Sequence, residues 1–556
     1  MDLPYQKCQQ ELRELLLAQY PLIFLRSSEE SRAIQCAIAS HNSLVTDIGI
    51  PNGEIARWSS IEAFQKLTAK PNDPSKVNWQ RLGNPLNPQE DPVVQSLKFL
   101  QQRLQEMQDQ LTKQGNLPEN ERKNAQHTYL LPDWSSLIDP NSHLTARYLK
   151  ELVIAIDQKR PRLRMSLIIV GADWSIPPTL RNCVHIVDLP LPIGQELYED
   201  IFSLAIDKYD ISEDVARRLS EQAQGMSLQA AAQTARLTSA RELWGQPDEA
   251  GKLLLEVKKQ EIRKTGVLEY YAPQGNGLND VGGLENIKAW VASRQEWFEQ
   301  DNKPELRPRA ILLEGFPGCG KSFIAKAIAQ QWRVPQINFE IARLQSKWVG
   351  ESESKTHQAL RAIEASAPNI LFMDEIEKAF SGVGGDSSGV TTRQFGTFLS
   401  WLNDHAYPIF FIATSNDRSQ LPPELFRAGR FDEVFIVMPP TWAERYEIIQ
   451  KRSEIYGIYD LSEFDLEFLV ENTGGFTGAE LDKLVREVIY ITGLNNEPSA
   501  TDWQQALALI KPQYRTDRMQ HLLQKYKELL SDGGGKPASA IEEGFLDSLI
   551  LPPNNV

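Results

Sequence analysis

The sequence predicts a two-part α/β protein in which each part forms a mainly parallel sheet followed by a helical lid. In residues 278–438, short apolar runs such as "AILLE", "NILFMD" and "PIFFIATS" alternate with helical patterns, and the strand patterns stop at about residue 440. In the first half, "SLIIVGADWSIPPTL" has the same apolar run, polar turn and Pro-Pro-x-Leu ending as "PIFFIATSNDRSQLPPEL". The first half therefore resembles the second, with different residues in the turn.

These patterns also set the expected domain boundaries. An insertion at about 70–123 is rich in Pro, Asn, Gln and charged residues, and within it "VVQSLKFLQQRLQEMQDQL" predicts one amphipathic helix. We expect a first α/β domain over 1–205, lid-like helices over 206–244, a linker over 245–277, a second α/β domain over 278–438, its helical lid over 439–512, and a C-terminal helix with a flexible tail over 513–556.

Composition narrows the class of protein. The 556 residues carry 74 acidic and 59 basic side chains, and the net charge of −15 disfavours non-specific binding to nucleic acid or anionic membrane. Cys8, Cys36, Cys183 and Cys319 lie far apart without ligand-spaced histidines, so neither a zinc site nor a disulfide framework is indicated. No apolar run approaches the roughly 20 residues that cross a bilayer. We expect no membrane insertion and a reducing, cytoplasmic location.

A phosphate-binding loop follows the strand "AILLE". The segment "EGFPGCGKS" matches G-x-x-x-x-G-K-S and opens the helix "FIAKAIA". Glycines let backbone N–H groups surround phosphates at a helix N-terminus, Lys321 reaches the β and γ oxygens of ATP, and the Ser322 hydroxyl holds Mg²⁺. The residues expected to bind ATP here are Gly315, Pro317, Gly318, Cys319, Gly320, Lys321, Ser322 and Phe323.

A second phosphate motif, "NILFMDEIEK", ends an apolar strand with two carboxylates. Asp374 suits the Mg²⁺ shell, and Glu375 can orient and deprotonate the attacking water. Either residue alone would read as a solvated strand end, but two phosphate motifs in this order predict an ATP hydrolase. Cys319 raises the idea of a redox switch, because a helix N-terminus lowers a thiol pKa; the alternative is a loop position that tolerates many residues.

Residues 278–511 resemble the AAA subgroup of AAA+ ATPases, a P-loop fold with a parallel sheet and a helical lid. The carrying motifs are "DVGGLENIKAW", "ATSN", "LPPELFRAGRFD" and "GGFTGAEL", together with the two phosphate motifs. The resemblance implies Asp280, Val281 and Gly282 beside the adenine, Asn416 as the sensor that positions the lytic water, Arg427 and Arg430 as arginine fingers, and Gly478 and Ala479 as lid residues near the nucleotide.

The same resemblance implies an assembly. Arginine fingers in this family serve the ATP of a neighbouring subunit, which implies a ring, usually a homo-hexamer. "SKWVGESESKTHQAL" resembles the first pore loop, with Lys347, Trp348 and Val349 facing the axis, and "SGVGGDSSGV" at 381–390 would be the second. An aromatic side chain there can grip an extended polymer by stacking. The alternative is a tryptophan packed under its own domain.

The first half reads as a degenerate copy of this module. "RSSEESRA" follows the strand "PLIFL" without a glycine and places Glu29 and Glu30 where phosphates would lie, so it repels a nucleotide. "TYLLPDW" aligns with "NILFMDE" when Asp133 is set opposite Asp374, which leaves Trp134 opposite the catalytic glutamate. A chance likeness between two α/β units is the alternative.

Three further positions of the first half depart from the motifs. Asp173 is expected at the sensor position, and "RNC" replaces the finger segment, with Arg181 a doubtful substitute. Leu228 and Gln229 replace the Gly-Ala pair of the lid. The apolar frame remains while the catalytic residues are absent, which predicts a scaffold or a substrate adaptor.

Taken over most of its length, the chain resembles the family of cyanobacteria and red-algal plastids known as hypothetical chloroplast reading frame forty-six. This implies a link to photosynthetic inorganic-carbon utilisation, and a plastid stroma location if the gene is plastid-encoded. We expect a ring-forming, Mg²⁺-dependent ATPase that remodels or threads a protein. One alternative is an ATPase that binds RNA or DNA through Lys347, Trp348 and a basic stretch such as "KKQEIRK"; another is a nucleotide-gated assembly switch. No HExxH occurs, so no zinc-protease activity is expected.

Overall fold

The computed structural model divides the chain into two compact units, residues 1–258 and 259–556. The division falls inside the linker expected at 245–277. The structure describes residues 3–68, 79–87, 89–113, 125–138, 143–160, 163–300, 303–340, 343, 349–380, 390–405, 407–427, 429–459, 461–493, 497–541 and 544–550. Across these ranges, no helix combines the length and the apolar character that a membrane crossing needs.

The first unit contains a mainly parallel sheet with strand order β4-β3-β2-β5-β6-β1-β7, and helices that follow it. Its strands are β1 Leu22–Arg26, β2 Asn52–Ser59, β3 Ala63–Leu67, β4 Trp79–Leu82, β5 Gln126–Pro132, β6 Arg164–Gly171 and β7 His185–Asp188. Its helices are α1 Pro4–Leu17, α2 Glu30–Thr46, α3 Pro92–Lys113, α4 Trp134–Leu137, α5 His143–Asp157, α6 Gly194–Leu197, α7 Ser203–Tyr209, α8 Glu213–Ala223, α9 Leu228–Ala240 and α10 Pro247–Arg263, which crosses the unit boundary. The helix predicted inside the insertion is confirmed as α3, whose apolar face packs into the core.

The second unit contains a sheet with strand order β14-β13-β9-β12-β11-β10-β8. Its strands are β8 Leu268–Tyr271, β9 Ala310–Gly315, β10 Gln336–Phe339, β11 Asn369–Met373, β12 Ile409–Ser415, β13 Glu433–Val437 and β14 Lys536–Pro537. Its helices are α11 Glu285–Ala292, α12 Gln295–Glu299, α13 Lys321–Gln331, α14 Val349–Ala365, α15 Ile376–Phe380, α16 Val390–Asp404, α17 Trp442–Ile455, α18 Glu463–Glu471, α19 Gly478–Thr492, α20 Ala500–Leu509, α21 Asp517–Ser531 and α22 Phe545–Leu549.

The central strands of the second unit are mainly apolar and buried because helices cover both faces of the sheet. Every residue of β9, β11 and β12 is buried. The lid helices α17 to α20 form a separate apolar core. Thr441 and Thr477 begin α17 and α19 with capping boxes, in which the threonine hydroxyl and a glutamate three residues later satisfy free backbone N–H groups.

The two units share one strand order. In the first, parallel strands run β2-β5-β6-β1-β7 across the sheet, and in the second they run β10-β11-β12-β9-β13. Each order places the first parallel strand of the unit between its fourth and its fifth. The units differ at the edges, where β3 and β4 extend the first sheet and where β8 and β14 border the second. A shared strand order favours a related origin over the chance likeness considered above.

The strand register corrects one detail of the alignment between the halves. Arg26 pairs with Gly171 as Glu314 pairs with Ser415, and one step across each sheet the matching positions are Asp133 and Glu375. Asp133 and Glu375 also share a left-handed backbone, with φ of 63° and 46°. Asp133 therefore corresponds to Glu375.

The placement of Asp133 opposite Asp374 was thus wrong by one residue. Pro132 takes the position of Asp374, and Trp134 is a fully buried core residue that packs edge-on against Trp58. The same register places Ala172 opposite Asn416, so Asp173 does not occupy the sensor position.

The linker holds a helix and a strand, and the tail contains more structure than its composition indicates. Helix α10 packs on the lid-like helices of the first unit, and β8 pairs antiparallel with β10. The expected C-terminal helix is α21, which packs on the second core. In the expected flexible tail, β14 pairs with β13 and α22 packs on the same core. Residues 551–556 lie outside the described part of the chain.

Candidate active site

The phosphate loop joins β9 to α13. At Gly315 an added Cβ would lie 2.0 Å from the backbone oxygen of Val437, so the close approach of β13 requires glycine there. Gly318 and Gly320 have φ of 80° and 91°, which L side chains rarely adopt. Helix α13 begins at Lys321, and its first N–H groups have no acceptors within the helix. The loop therefore presents backbone donors and one lysine at a helix N-terminus.

Lys321 is buried and points into the loop. Its Nζ donates to the backbone oxygens of Gly315 and Phe316, at 2.7 and 3.1 Å, and to Oδ1 of Asn416 at 2.9 Å. Burial lowers the pKa of Lys321, and the neighbouring anions, Asp374 among them, oppose that effect. The lysine is thus held by fixed acceptors at the mouth of the loop.

The two carboxylates that follow β11 are oriented by a threonine on β12. The Thr414 hydroxyl donates to Oδ1 of Asp374 and accepts from the backbone N–H of Glu375 at 2.8 Å. The Ser322 hydroxyl lies 3.1 and 3.2 Å from the two carboxylate oxygens of Asp374. Thr414 is fully buried and was not predicted as a site residue, because its role depends on strand pairing. Asp374 and Ser322 form a pair of hard oxygen donors.

Asn416 directly follows β12 and links the two sides of the site. Its side-chain Nδ2 donates to Oε1 of Glu375 at 3.1 Å, and its backbone N–H donates to Oε1 of Glu377 at 3.0 Å. Lys378 pairs with the other oxygen of Glu375 on the exposed side. Glu375 is therefore held by two neighbours, Asn416 and Lys378.

Most of the predicted residues line one cavity of about 550 Å³. This volume is within the range of roughly 300–1,000 Å³ found for small-molecule sites. The predicted residues that line it are Asp280, Val281, Gly282, Pro317, Gly318, Cys319, Gly320, Lys321, Ser322, Phe323, Asp374, Glu375, Asn416, Gly478 and Ala479. The lining residues that were not predicted are Leu284, Ile448, Lys451, Arg452, Tyr456 and Asp482.

The lid holds the segment beside the cavity through α17. Lys451 donates from Nζ to the backbone oxygens of Asn279 and Val281, at 2.6 and 3.0 Å. An added Cβ at Gly282 would lie 2.8 Å from the Ile448 side chain, so glycine permits this close contact. The spacing of Ile448, Lys451 and Arg452, three and four residues apart on a helix, was the available signal for one face directed at the cavity.

Helix α17 of the lid carries a second cation, Arg452. The Arg452 guanidinium lies 4.9 Å from the centre of the Phe323 ring and 3.5 Å from Asp482. The backbone N–H of Ala479, at the start of α19, donates to the backbone oxygen of Gly318 at 3.0 Å. The lid therefore contacts the phosphate loop directly.

Other predicted residues do not join this cavity. Arg427 is exposed, and Arg430 donates to the backbone oxygen of Glu424. Lys347, Trp348 and residues 381–389 lie outside the described part of the chain, and Val349 begins α14. Gly315 lies behind the loop rather than on the cavity wall.

The donor set fits a nucleotide with Mg²⁺. An added Cβ at Gly320 would meet no atom within 4 Å, so the loop leaves room at the helix N-terminus. Lys321 and the N-terminal N–H groups suit phosphate oxygens, and the oxygens of Ser322 and Asp374 suit a hard cation.

The first unit has a different arrangement at the matching position. Only three residues separate β1 from α2, against five between β9 and α13. The buried Glu29 carboxylate accepts hydrogen bonds from the backbone N–H groups of Leu228 and Gln229 at the start of α9. In the second unit the start of α19 donates instead to a backbone oxygen of the phosphate loop. Glu29 therefore joins core and lid without a nucleotide.

A buried arginine completes this link. Arg32 donates to Oε2 of Glu196 at 2.8 Å and to the backbone oxygen of Pro190, and it lies 3.4 Å from Glu29. Glu196 also accepts from the backbone N–H of Tyr5, just as Glu444 accepts from the N–H of Leu284 in the second unit. Burial raises the pKa of Glu30 and the nearby Asp133 carboxylate raises it further. The region is rich in carboxylates, which disfavours phosphate.

Comparisons with known proteins agree with both units. The family model described as "ATPase family associated with various cellular activities (AAA)" matches residues 311–438, and "SpoVK-like AAA ATPase, N-terminal domain" matches residues 8–189. The AAA domain-containing protein ycf46 of Guillardia theta is 30% identical over 514 residues, 90% of this chain and 91% of that protein. Its counterpart in Pyropia yezoensis is 29% identical over 95% of this chain and 99% of that protein.

A more distant match covers part of the chain. The cell division cycle protein 48 homolog of Archaeoglobus fulgidus is 34% identical over 219 residues, 37% of this chain and 29% of that protein.

Fold, site and matches define an ATP-hydrolysing AAA ATPase, preceded by a SpoVK-like AAA domain. Within that class, the chain belongs to the ycf46 family of AAA domain-containing proteins.

The buried cation of the first unit gives a stability prediction. Replacing Arg32 with alanine leaves Glu29 and Glu196 buried without their partner, and we expect a loss of about 3–5 kcal/mol in the free energy of unfolding of this unit. Urea unfolding followed by hydrogen exchange of α2 and α6 measures it. Arg217→Ala, which removes an exposed ion pair with Glu213, is the control and should change little. Wild-type stability of Arg32→Ala would show that the pair does not hold the unit together.

Cys319 gives a reactivity prediction. Burial raises its pKa to about 12, so at pH 7.5 the thiol stays protonated and is a poor nucleophile. We expect iodoacetamide to alkylate Cys319 in the native protein at least about 100-fold more slowly than in the urea-unfolded chain, as measured by mass spectrometry of the Cys319 peptide. Cys183, which is partly exposed, is the internal comparison. Equal native rates for the two cysteines would restore the redox-switch hypothesis.

Proposed function

We propose that this AAA ATPase forms a homo-hexameric ring and uses Mg²⁺-dependent ATP hydrolysis to remodel or thread a protein substrate. The observation that carries the proposal is the convergence of Lys321, Asp374, Glu375 and Asn416 on one cavity beneath the lid. In such a module a change at the phosphates reaches the lid directly, since Ala479 contacts the phosphate loop. That contact is the means by which hydrolysis would move the rest of the unit.

Different residues of the cavity would perform different parts of ATP binding and hydrolysis. Lys321 and the first N–H groups of α13 would hold the phosphates of ATP, and Ser322 with Asp374 would hold Mg²⁺. Mg²⁺, when bound, neutralises part of the phosphate charge. Glu375 is placed to accept a proton from a water, and Asn416 orients the Glu375 carboxylate by donating to its Oε1.

The arginine fingers support a ring. Arg427 is exposed, and neither Arg427 nor Arg430 lines the cavity of its own chain. We propose that both side chains serve the cavity of a neighbouring subunit, Arg430 by exchanging its hydrogen bond to the Glu424 backbone oxygen. An added arginine raises phosphoryl-transfer rates by about 10³ to 10⁵ in well-studied cases. We therefore propose that an isolated chain hydrolyses ATP poorly.

A protein substrate is favoured over nucleic acid. The net charge of −15 opposes binding of a polyanion, and a cell division cycle protein 48 homolog is among the relatives. The proposed pore residues Lys347, Trp348 and Val349 rest on the sequence alone. An RNA- or DNA-dependent ATPase and an assembly switch are the competing outcomes of the tests below.

The physiological setting is the least direct part of the proposal. Resemblance to the ycf46 family supports a role in photosynthetic inorganic-carbon utilisation, in the cytoplasm or in the stroma if the gene is plastid-encoded. A deletion strain should then grow more slowly at limiting inorganic carbon and normally when inorganic carbon is ample. A deletion strain that grows as fast as wild type in both conditions would contradict this role.

The core of the mechanism is tested by two substitutions. Lys321→Ala removes the buried cation, and we expect ATP affinity to fall about 10- to 100-fold. Glu375→Gln keeps the shape of the side chain but cannot accept the proton, so we expect unchanged ATP affinity and a kcat lower by about 10² to 10⁴. Binding of a fluorescent ATP analogue and release of phosphate measure these values, and native mass spectrometry of Glu375→Gln with ATP measures the ring.

The same binding experiment tests the first unit. Wild type should bind one nucleotide per chain, and Lys321→Ala should leave no second site. One nucleotide bound per chain in Lys321→Ala at wild-type affinity, instead of the affinity about 10- to 100-fold weaker that is expected of the second unit, would show that the first unit binds it. Normal turnover of Glu375→Gln would contradict the proposed role of Glu375 as the base.

Substrate class is tested by stimulation of ATP turnover. We expect an unfolded protein such as reduced casein to raise the turnover of wild type but not of Trp348→Ala, because the aromatic grip is lost. Tyr459→Ala, which removes an exposed lid aromatic, is the control and should respond like wild type. Stimulation by single-stranded RNA alone, abolished by added salt, would replace the protein substrate with nucleic acid. A full response of Trp348→Ala would favour the assembly switch.

A further inference from the structure

The C-terminal segment packs against the loop that carries Asn416. Tyr526 lies on α21, about 110 residues further along the chain, and its side chain is fully buried. Its hydroxyl donates to the backbone oxygen of Asn416 at 2.5 Å. Burial raises the pKa of Tyr526, so the hydroxyl remains a protonated donor throughout the physiological range. A buried hydroxyl with this partner fixes the position of the Asn416 backbone.

This contact completes the set of hydrogen bonds around Asn416. Its backbone N–H donates to Glu377, its side-chain oxygen accepts from Lys321, and its side-chain nitrogen donates to Glu375. Those three partners lie in the phosphate motifs. Tyr526 supplies the fourth contact from outside them and holds the backbone carbonyl of Asn416.

The residues around Tyr526 strengthen the same attachment. Lys525 pairs with Asp417 and lies 3.2 Å from the Ser419 hydroxyl. Arg418 donates to the backbone oxygen of Gly534 at 2.5 Å and pairs with the buried Glu314 at 3.3 Å. Three consecutive residues after β12 are therefore fixed by the segment that begins at α21.

We propose that Tyr526 is a positioning residue for ATP hydrolysis. It holds the Asn416 backbone so that the side-chain amide of Asn416 keeps its hydrogen bond to Glu375. The inference rests on the role given to Asn416 under the proposed function. The contact is made to the backbone of Asn416. It therefore affects the position of the Asn416 side chain and does not change which ligand the cavity binds. Loss of the hydroxyl should therefore reduce turnover and leave nucleotide binding intact.

The test compares Tyr526→Phe with wild type in steady-state ATP turnover. Phenylalanine keeps the buried ring and removes one hydrogen bond, and we expect kcat to fall about 5- to 10-fold while KM and ATP affinity change less than about twofold. Tyr490→Phe, in an exposed lid residue, is the matched control and should equal wild type. An unchanged kcat in Tyr526→Phe would overturn the inference, as would a parallel loss of ATP affinity and thermal stability.

A double mutant separates this inference from the role of Asn416. Asn416→Ala removes the side chain through which Tyr526 would act, so Tyr526→Phe should have no further effect in that background when single-turnover rates are compared. Equal effects of Tyr526→Phe in both backgrounds would overturn the inference and leave the role of Asn416 standing. Wild-type turnover of Asn416→Ala would instead overturn that role, and with it the inference.

Discussion

The parallel pairing of β9 with β12 on one side and β13 on the other is the constraint on which the second unit depends. Parallel strands end at the same edge of a sheet, so the phosphate loop after β9, the carboxylates after β11 and Asn416 after β12 meet there. Buried strands leave little freedom for a shift in register, because a shift of one residue would move every side chain to the opposite face of the sheet, where it would not fit the helices packed there. The positions of Lys321, Asp374 and Asn416 are therefore set by the packing of the sheet.

The phosphate loop and the two carboxylates could be predicted because each is a short, local pattern at a strand end. Most predicted residues meet in one cavity for that reason. Thr414, Glu377 and Lys451 could not be predicted, since each acts through a partner that only the folded chain brings near. The register error at Asp133 has a similar origin: identical residue types suggested an alignment that the backbone conformation and strand pairing do not support.

The C-terminal segment shows how composition can mislead. "SDGGGKPASA" has the glycine content of a flexible tail, yet an added Cβ at Gly534 would lie 2.5 Å from the Arg418 guanidinium, and one at Gly535 would lie 3.0 Å from Ile436. These glycines allow close packing on the sheet rather than chain mobility. A single sequence does not distinguish the two uses of glycine, because the neighbouring atoms come from distant parts of the chain.

The shortened turn of the first unit limits what changes of sequence can do there. Three residues between β1 and α2 cannot encircle a phosphate, and no substitution at Ser27, Ser28 or Glu29 makes the turn longer. Removing the Glu29 carboxylate would break the link between lid and core, and no bound nucleotide would yet replace that link. Recovery of ATP binding would need inserted residues and several replacements together, with each intermediate less stable than the present chain. The loss of chemistry in this unit therefore behaves as a one-way step.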